Sequence, residues 1–511
     1  MSKPFAGWPG RSSRSEYEAV DRKTKIVATL GPATCTEAQI RELIAEGLDI
    51  VRLNGSHNTL AWHRGVIRRV RTISPLIPIL LDIPGRKVPT GLLASDVPLK
   101  QGETLVFTTE ADGVADGRIP VTYCDLHLDL RPGNIVLADD GTLKFQVIDV
   151  RGRDIVCRIE NDGILRSSKG LNVPYVKLNG PVLADRDRRM LEFAKAEGVD
   201  FVGVSFVESA EHVAQVRELL EGSPVGIVSK IENKFGLDRL REIIVASDAV
   251  MIDRGDLTAE TEIESLAIMQ KRILREAQRH AKPVIVATEM LHTMIRHPHP
   301  TKAEVTDISA AVLDGASAIM LSGETAIGDF PAQAIALMNR VASLVENAET
   351  LPDEVGSTLD DEAIPSAVGG AIHELCRKLP VTKVICLTAS GFAPKMISKY
   401  RLKQPILAVT NSIEVGRKVS MSWGVQPLVL ELKFSRRSSD HIIRTLREFV
   451  RARGHFSRRC HHRDGGETSE DREQDEHDRD LRGEGPDRIA GMEPSDMRGG
   501  GIAIAVGLMG S

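Results

Sequence analysis

Aromatic residues, closely spaced cysteines and long apolar runs are all scarce in this sequence. Aromatic side chains make up only 4% of the 511 residues, which argues against a surface that stacks on nucleic-acid bases. The N-terminus lacks the apolar segment of a signal peptide, and no apolar run approaches the roughly 20 residues that span a bilayer. The cysteines are too scattered for a disulfide framework or a zinc site, so we expect reduced thiols in a cytoplasmic protein. They are Cys35, Cys124, Cys157, Cys376, Cys386 and Cys460.

The charge balance and the length are those of a large globular protein. The formal net charge is -5 with both signs mixed along the chain, so we expect neither a nucleic-acid nor a membrane partner. Hydrophobic residues make up 42% of the sequence and charged residues 27%, which is ordinary for a folded protein. A chain of 511 residues exceeds what one core supports, so we expect several domains.

Short apolar runs alternate with amphipathic runs of helical period, which predicts a parallel α/β fold. Their number matches a TIM (β/α)8 barrel. The apolar runs cover residues 25–30, 49–53, 78–81, 201–205, 225–229, 249–252, 284–287 and 318–321. After the first run, Thr36 and Gln39 have the spacing of a capping box, which predicts a helix start, and Gly47 predicts the helix end.

The alternation breaks where other domains are expected. Short alternating segments with turn signals over residues 92–170 predict a small β domain inserted into a barrel of residues 21–91 plus 171–350. A second α/β pattern predicts a C-terminal domain over residues 360–456. We expect a flexible N-terminus over residues 1–20 and a disordered tail over residues 457–511, where polar residues dominate and only 502–509 is apolar.

Polar side chains follow nearly every predicted barrel strand, at the end where TIM barrels carry their active sites. Glu232 and Asp256 follow neighbouring strands and offer the hard carboxylate oxygens that Mg²⁺ and Mn²⁺ prefer. Lys230 and Arg52 supply the positive charge that a transferring phosphoryl group needs. These residue types together favour phosphoryl chemistry over nucleophilic acyl chemistry.

Two more strand ends carry suitable groups. Gly255 permits close approach of a ligand to the backbone, and Thr288 offers a hydroxyl beside the predicted metal site. Each feature alone has a simpler interpretation, because a lone Lys-x-Glu is usually a solvated ion pair and an Asp after a strand is usually a helix N-cap. Several such ends on one rim favour a metal-assisted enzyme that acts on a small anion.

Five segments at these strand ends are similar to signature sequences of the pyruvate kinase family. They are TKIVATLGP (24–32), SKIEN (229–233), RGDL (254–257), PTKAE (300–304) and LSGETA (321–326). The similarity extends from about Thr24 to Arg453. The resemblance implies a TIM barrel with an inserted small β-barrel lid and an α/β C-terminal domain. It also implies a cytoplasmic, Mg²⁺-dependent glycolytic enzyme that transfers a phosphoryl group from phosphoenolpyruvate to ADP, giving pyruvate and ATP.

The resemblance assigns the reacting groups residue by residue. It implies that Lys230 stabilises the phosphoryl group in transfer and that Arg52 contacts phosphate. Glu232 and Asp256 would bind Mg²⁺ or Mn²⁺.

Further positions are implied to bind the two substrates. Gly255 and Thr288, with Asp256, would hold the carboxylate end of the substrate, and Thr288 is implied to be catalytic as well. Asn54, Ser56 and His57 would lie near the nucleotide.

The monovalent-cation site of the family is altered in this sequence. The family builds it from residues at the positions of Asn54, Ser56, Asp82 and Ile83. Lys87 stands where K⁺-dependent members carry Glu, and its ammonium would replace the K⁺ charge. We therefore expect activity that does not require K⁺.

Two other departures concern nucleotide binding and assembly. Pro89 stands where the family has an arginine that contacts nucleotide phosphates, which predicts weaker nucleotide binding or turnover. From Ser457 onward the family's Gly-rich final strand is missing. Codons for the tail can restore it when read one base later, so we hypothesise a frameshift, which would leave an open sheet edge in the C-terminal domain. With that domain intact, the resemblance implies a homotetramer.

Two alternatives remain open from the sequence. A metal-dependent carbon–carbon lyase on a related barrel would use the same metal beside an enolate-forming acid. A catalytically impaired pyruvate kinase homologue with a binding role would explain Pro89 and the tail. ADP dependence separates the kinase from the lyase.

Overall fold

The computed structural model describes residues 22–85, 88–93, 95–110, 117–139, 141–167, 169–180, 182–348 and 363–430, together with the backbone of 502–507. The strands are β1 (Lys25–Thr29), β2 (Ile50–Asn54), β3 (Ile79–Ile83), β4 (Val88–Pro89), β5 (Val97–Leu99), β6 (Thr104–Thr108), β7 (Ile119–Pro120), β8 (Ile135–Ala138), β9 (Leu143–Arg151), β10 (Asp154–Ile159), β11 (Gly163–Leu165), β12 (Gly170–Asn172), β13 (Phe201–Val204), β14 (Gly226–Ile231), β15 (Ala249–Asp253), β16 (Val284–Ala287), β17 (Ala318–Leu321), β18 (Val381–Leu387), β19 (Ile406–Thr410), β20 (Val425–Val429) and β21 (Ile502–Gly507).

The α-helices are α1 (Glu37–Ala45), α2 (Leu60–Ile73), α3 (Leu126–Asp129), α4 (Asp185–Glu197), α5 (Ala210–Leu219), α6 (Lys234–Asp238), α7 (Leu240–Ala246), α8 (Arg254–Glu260), α9 (Leu266–Arg279), α10 (Lys302–Leu313), α11 (Gly323–Ala326), α12 (Pro331–Asn347), α13 (Ala363–Lys378), α14 (Phe392–Ser398) and α15 (Ile413–Val419). Short 3₁₀ helices cover Ile263–Ser265 and His292–Ile295. Among the residues that the structure describes, no helix is long and apolar enough to cross a membrane.

Eight parallel strands close a barrel in the order β1-β17-β16-β15-β14-β13-β3-β2. This confirms the predicted TIM (β/α)8 fold, and each strand overlaps one of the predicted apolar runs. Because successive strand residues face opposite sides, Val27, Leu80, Val228 and Met251 fill the barrel interior while their neighbours pack against the surrounding helices. Most of the strand residues are apolar, because both faces of the sheet are covered.

The first helix begins and ends where the sequence predicts. Thr36 Oγ1 accepts a hydrogen bond from Gln39 N, and Gln39 Oε1 accepts one from Thr36 N at 3.1 Å, which completes the capping box. Ile40 and Leu43 are buried against the barrel. Gly47 follows the helix with a φ of 115°, a backbone conformation that favours glycine.

The insertion between β3 and β13 forms a closed β domain above the C-terminal ends of the barrel strands. Its sheet has the order β4-β12-β8-β9-β10-β6-β7, and β5 pairs with β11 beside it. A bridge between Thr90 and Val121 joins the ends of the two edge strands, β4 and β7, so the sheet closes on itself. Phe107 and Phe145 pack edge to face in its core, with ring centroids 5.2 Å apart.

The C-terminal domain contains a parallel sheet of order β20-β19-β18-β21. Its outer strand, β21, lies in the tail for which the sequence predicted no ordered structure. Ile502–Gly507 pairs in parallel with β18, and its backbone satisfies hydrogen-bonding groups that would otherwise form an exposed strand edge. Residues 431–501, including most of the predicted tail, lie outside the described residues.

The C-terminal domain packs against the N-terminal face of the barrel, opposite the inserted domain. Met421 is fully buried among the interior residues of the barrel. Gly424 N donates to Lys23 O at 3.0 Å, and Lys25 Nζ donates to Val425 O at 2.9 Å. This docking leaves the C-terminal ends of the barrel strands available to the inserted domain.

Candidate active site

A buried lysine lies among three carboxylates at the C-terminal ends of the barrel strands. Lys230 and Glu232 are two residues apart at the end of β14, so both side chains point the same way. The distance from Lys230 Nζ is 2.6 Å to Glu232 Oε1, 3.1 Å to Asp253 Oδ2 and 3.4 Å to Asp82 Oδ2. The same ammonium donates to Ser205 Oγ at 3.2 Å. The ammonium is therefore enclosed by oxygen atoms.

The pKa values in this cluster show that the carboxylates are crowded. Burial lowers the pKa of Lys230, but Asp82, Glu232 and Asp253 outweigh it, and the pKa lies well above its ordinary value. Burial raises the pKa of Glu232 against the effect of Lys230, and Asp256 and Asp253 raise it further. Burial also acts to raise the pKa of Asp253, but Lys230, Arg52 and a hydrogen bond with Glu232 together lower it below its ordinary value. One ammonium thus leaves part of the negative charge uncompensated.

Three carboxylates are arranged to hold a metal ion. They are Glu232, Asp253 and Asp256, which we call the carboxylate cluster. Each offers an oxygen, and the three oxygens lie within 4.8 Å of one another. Phe206 N donates to Glu232 Oε2 at 2.6 Å, which fixes the orientation of that carboxylate. Hard, closely spaced oxygens with excess negative charge fit a divalent cation such as Mg²⁺ or Mn²⁺.

Arg52 extends the cluster toward β2 and β1. Its Nη2 lies 2.5 Å from Asp82 Oδ2, and its Nη1 donates to Thr29 Oγ1 at 3.0 Å. Both partners of the ion pair are buried, so the geometry of the guanidinium is fixed before any ligand arrives. Arg52 Nε is buried and has no hydrogen-bond partner among the described residues. A phosphate oxygen would satisfy such a donor.

The start of α8 and the end of β16 meet through Thr288. Gly255 N donates to Thr288 Oγ1 at 2.9 Å, so these two predicted site residues are in direct contact. Thr288 has a φ of 68°, which is unusual for a β-branched residue, and Glu289 follows with a φ of 56°. Arg254 Nη2 donates to Thr288 O at 2.6 Å and holds this strained segment in place.

The predicted nucleotide residues lie on the loop after β2. Asn54 Oδ1 accepts a hydrogen bond from Ser56 N at 3.0 Å, a local turn that orients the Asn54 side chain. Arg186 from α4 donates to the carbonyl oxygens of Gly55 and Ser56. Ser56 and His57 are exposed at the rim, so their side chains are accessible to a ligand.

The predicted monovalent-cation residues are only partly brought together. The register places Asn54 beside Asp82, while Ile83 is buried in the apolar layer around the barrel. Asp82 Oδ2 contacts both Arg52 and Lys230, so two cations already neutralise this carboxylate. Lys87, predicted to replace K⁺, lies outside the described residues.

A pocket lies between the inserted domain and the barrel, next to the carboxylate cluster, with about 420 Å³ of space inside its lining when adjoining solvent is included. Asn172 of β12 donates through Nδ2 to Glu260 Oε1 of α8 at 3.2 Å across this pocket. Burial raises the pKa of Glu260 to about 7, although Asn172 opposes the shift, and Asp256 adds to it. The inserted domain therefore closes over the same helix that carries Asp256.

Three residues of the site were not assigned a role from the sequence. Asp253 directly follows a predicted strand, the same signal that identifies Glu232 and Asp256. Its position in the cluster depends on strand register, because Ile231 pairs with Ile252 and thereby brings Asp253 beside Glu232. Ser205 and Glu260 carry no sequence signal of comparable strength.

Comparisons with known proteins agree with this architecture. The family described as pyruvate kinase, barrel domain, matches residues 21–335, and the pyruvate kinase alpha/beta domain matches residues 366–460. A pyruvate kinase of Staphylococcus saprophyticus is 36% identical over 435 residues, which cover 83% of this chain and 74% of that protein. A pyruvate kinase of Clostridium perfringens is 37% identical over 417 residues, covering 79% and 88%.

A solved structure gives the same result. The crystal structure of a pyruvate kinase from Cryptosporidium parvum superposes with a TM-score of 0.77 at 32% identity, covering 85% of this chain and 92% of the other. Family match, sequence identity and fold agree over most of the chain, and the chain belongs to the pyruvate kinase family.

Proposed function

We propose that this chain transfers the phosphoryl group of phosphoenolpyruvate to ADP, with Mg²⁺ or Mn²⁺ at the carboxylate cluster, and that it acts in glycolysis in the cytoplasm. The observation that carries the proposal is the contact of Lys230 with Glu232 and Asp253 at the strand ends. Enzymes of this family use a divalent metal ion. When bound, that ion supplies positive charge to the transferring phosphoryl group and to the enolate oxygen left behind.

The chain's own cations act on the phosphoryl group. An oxygen of the terminal phosphate of ADP attacks phosphorus, and the bond from phosphorus to the enol oxygen breaks. With a metal ion bound, these carboxylates would hold the Lys230 ammonium less strongly, and the ammonium would stabilise the phosphoryl oxygens. Arg52, fixed by Asp82, binds phosphate through its remaining donors. The enolate then takes a proton at carbon to give pyruvate.

The strained segment positions the other end of the substrate. Gly255 and Thr288, held together by their hydrogen bond, lie beside Asp256 and would bind the substrate carboxylate. Asn54, Ser56 and His57 would bind the nucleotide from the opposite side of the rim. The inserted domain, which contacts the barrel through Asn172 and Glu260, would exclude water during transfer.

Activity without K⁺ remains part of this proposal. Arg52 and Lys230 already neutralise Asp82, which in the family belongs to the monovalent-cation site. The Lys87 ammonium is proposed to supply the remaining charge. K⁺ added at constant ionic strength should change the rate little, and a many-fold stimulation would show that the cation is still required.

The test is formation of pyruvate and ATP from phosphoenolpyruvate and ADP by the full chain. We expect equimolar products, no pyruvate without ADP, and loss of the reaction when a chelator removes divalent ions. Pyruvate formed without ADP would favour the metal-dependent lyase. A folded protein with no turnover would favour the impaired homologue, with Pro89 as the first position to restore to arginine. Light scattering on the same sample tests the proposed homotetramer.

A further inference from the structure

A second pocket lies at the opposite end of the barrel, between its N-terminal face and the C-terminal domain. The space inside its lining is about 250 Å³, adjoining open solvent included. The barrel contributes Lys282, just before β16, and Ser317, just before β17, whereas the C-terminal domain contributes Lys395, Arg401 and Ser422. We call it the interdomain pocket. The pocket and the candidate active site lie at opposite ends of the barrel strands, so the two sites are separate.

The lining of the interdomain pocket is strongly cationic. Lys282, Lys395, Lys399 and Arg401 line it, and no Asp or Glu is among its lining residues. Among the described residues, two acidic groups outside the lining act on it: Asp248 attracts Lys395 and Lys282, and Glu346 attracts Arg401. A concave site with an excess of one charge concentrates ions of the opposite sign.

Three of these cations donate hydrogen bonds to carbonyl or hydroxyl oxygens of the described residues. Lys282 Nζ donates to Ser247 O at 2.5 Å and to Val245 O at 3.2 Å. Lys399 Nζ donates to Ser366 Oγ at 2.8 Å. Arg401 donates to Gly315 O and, at 3.3 Å, to Ser317 Oγ. These hydrogen bonds fix the geometry of the three groups.

Lys395 differs from the other three cations in its contacts. Its side chain makes no hydrogen bond or ion pair with another residue in the described part of the chain, where only longer-range attraction to Asp248 acts on it. Burial lowers the pKa of Lys395, Asp248 opposes this, and the nearby Lys282 and Lys418 lower it further. Burial likewise lowers the pKa of Arg401, to about 10. An anion in the pocket would stabilise both charged forms.

Two buried polar atoms in the lining also have no hydrogen-bond partner among the described residues. They are Ser422 Oγ, on a residue that is 2% exposed, and Arg401 Nε. Buried donors of this kind are normally satisfied, so an absent partner points to a ligand that supplies an acceptor. Both atoms belong to the C-terminal domain, while Lys282 and Ser317 face them from the barrel.

We propose that the interdomain pocket binds a small phosphate-type oxyanion between Lys282 of the barrel and Lys395, Arg401 and Ser422 of the C-terminal domain. A tetrahedral oxyanion accepts hydrogen bonds on every side, so it suits cations and a hydroxyl that converge from two domains. Bound there, it holds the C-terminal domain to the barrel. The ligand is either free phosphate or the phosphoryl group of a small ester, since both present the same oxyanion to the lining.

The test measures phosphate binding to the full, metal-free chain by calorimetry, with chloride at the same ionic strength as reference. Phosphate ions also stabilise proteins non-specifically at high concentration, so the comparison is made between variants. Lys395→Met should weaken binding by about tenfold or more, because a charged hydrogen-bonding group is lost. Lys403→Met, an exposed lysine of the same domain outside the pocket, is the matched control and should bind like the unaltered chain.

Further titrations identify the source of the phosphate, and a second variant controls for misfolding. Inorganic phosphate and glycerol phosphate are titrated separately, and the tighter Lys395-dependent ligand identifies the source. Ser422→Ala removes a hydroxyl with no hydrogen bond to lose and should also weaken binding without unfolding the domain. Equal affinity in the unaltered chain, Lys395→Met and Ser422→Ala would overturn the proposal, as would the absence of saturable binding. Neither result depends on the proposed catalytic activity.

Discussion

The two ends of the barrel present opposite charge on one strand framework. At the C-terminal ends, Lys230 lies among Asp82, Glu232 and Asp253, and carboxylates are in excess. At the N-terminal face, the interdomain pocket has four cations in its lining and no carboxylate. Most residues of the strands between the two ends are apolar and buried. The fold therefore fixes the positions of the charged groups at both ends, and the sign of the excess charge determines whether an end binds a cation or an anion.

Both ends retain charged groups whose burial costs stability. Burial opposes the charged form of Glu232 at one end and of Lys395 at the other. An apolar replacement would avoid this cost, so the charged groups are best explained by ligands that compensate them. A divalent cation does so at the carboxylate cluster and an oxyanion at the interdomain pocket. The predictions below test each end separately.

The largest expected effect is on catalysis at the carboxylate end. Lys230→Met should lower the rate of pyruvate formation by about a thousandfold, because a positioned charge beside the transferring group is lost. Lys234→Met is the matched control: this exposed lysine contacts only Asp238, on its own helix, in the described structure. Steady-state assays of both variants with phosphoenolpyruvate and ADP give the comparison. If the Lys230→Met variant were as active as Lys234→Met, the ammonium of Lys230 would have no role in the reaction.

A smaller effect concerns the carboxylate at the contact with the inserted domain. The pKa of Glu260 rises from 4.5 to about 7 on burial. Between these values the folded protein keeps a proton that the unfolded chain releases, so stability falls as pH rises and the full cost is present above about pH 7. Glu260→Gln removes this cost and should be more stable than the unaltered chain at pH 8 by up to about 3 kcal/mol, but not at pH 4.5.

Urea unfolding in the presence of a chelator, at several pH values, measures this difference. The glutamine retains an oxygen that can accept from Asn172, so the contact between the domains is preserved. A stability difference that does not change with pH would mean that Glu260 is not held in its protonated form.

The smallest effect is expected at the cationic end. Arg401→Gln loses hydrogen bonds to the carbonyl oxygens of Gly315 and Ala316 and the stacking of its guanidinium on Trp423, 5.0 Å from the ring centroid. We expect the free energy of unfolding to fall by about 2 kcal/mol, since removal of the buried charge offsets part of the effect of the lost contacts. Arg377→Gln, on the exposed part of α13, is the control for thermal unfolding. An unchanged Tm for Arg401→Gln would show that this residue does not hold the domains together.

Much of the fold could be predicted because its signals are local. Each barrel strand is a short apolar run, and the start of α1 follows from Thr36 and Gln39 alone. Lys230 and Glu232 could be placed on one face from their spacing. The role of Asp253 could not, because its neighbour is set by the register between β14 and β15, which the sequence does not encode locally.

The remaining features depend on contacts between distant segments. Arg401 reaches the barrel, more than eighty residues earlier in the chain, and the interdomain pocket exists only because the two domains pack. Ile502–Gly507 was expected to lie in a disordered tail because its flanks are polar, yet it completes a sheet edge. The conformation of Thr288 is likewise set by Arg254 and Gly255, not by its own sequence neighbours.

The most direct test of the account is a titration of the metal-free chain with Mn²⁺, followed by electron paramagnetic resonance. The account predicts a Mn²⁺ site that is weakened about a hundredfold or more in Glu232→Gln, since a carboxylate ligand is removed. Glu242→Gln, an exposed glutamate of α7 outside the cluster, should bind Mn²⁺ as the unaltered chain does. Equal Mn²⁺ affinity in the unaltered chain and in Glu232→Gln would contradict the assignment of the carboxylate cluster as the metal site.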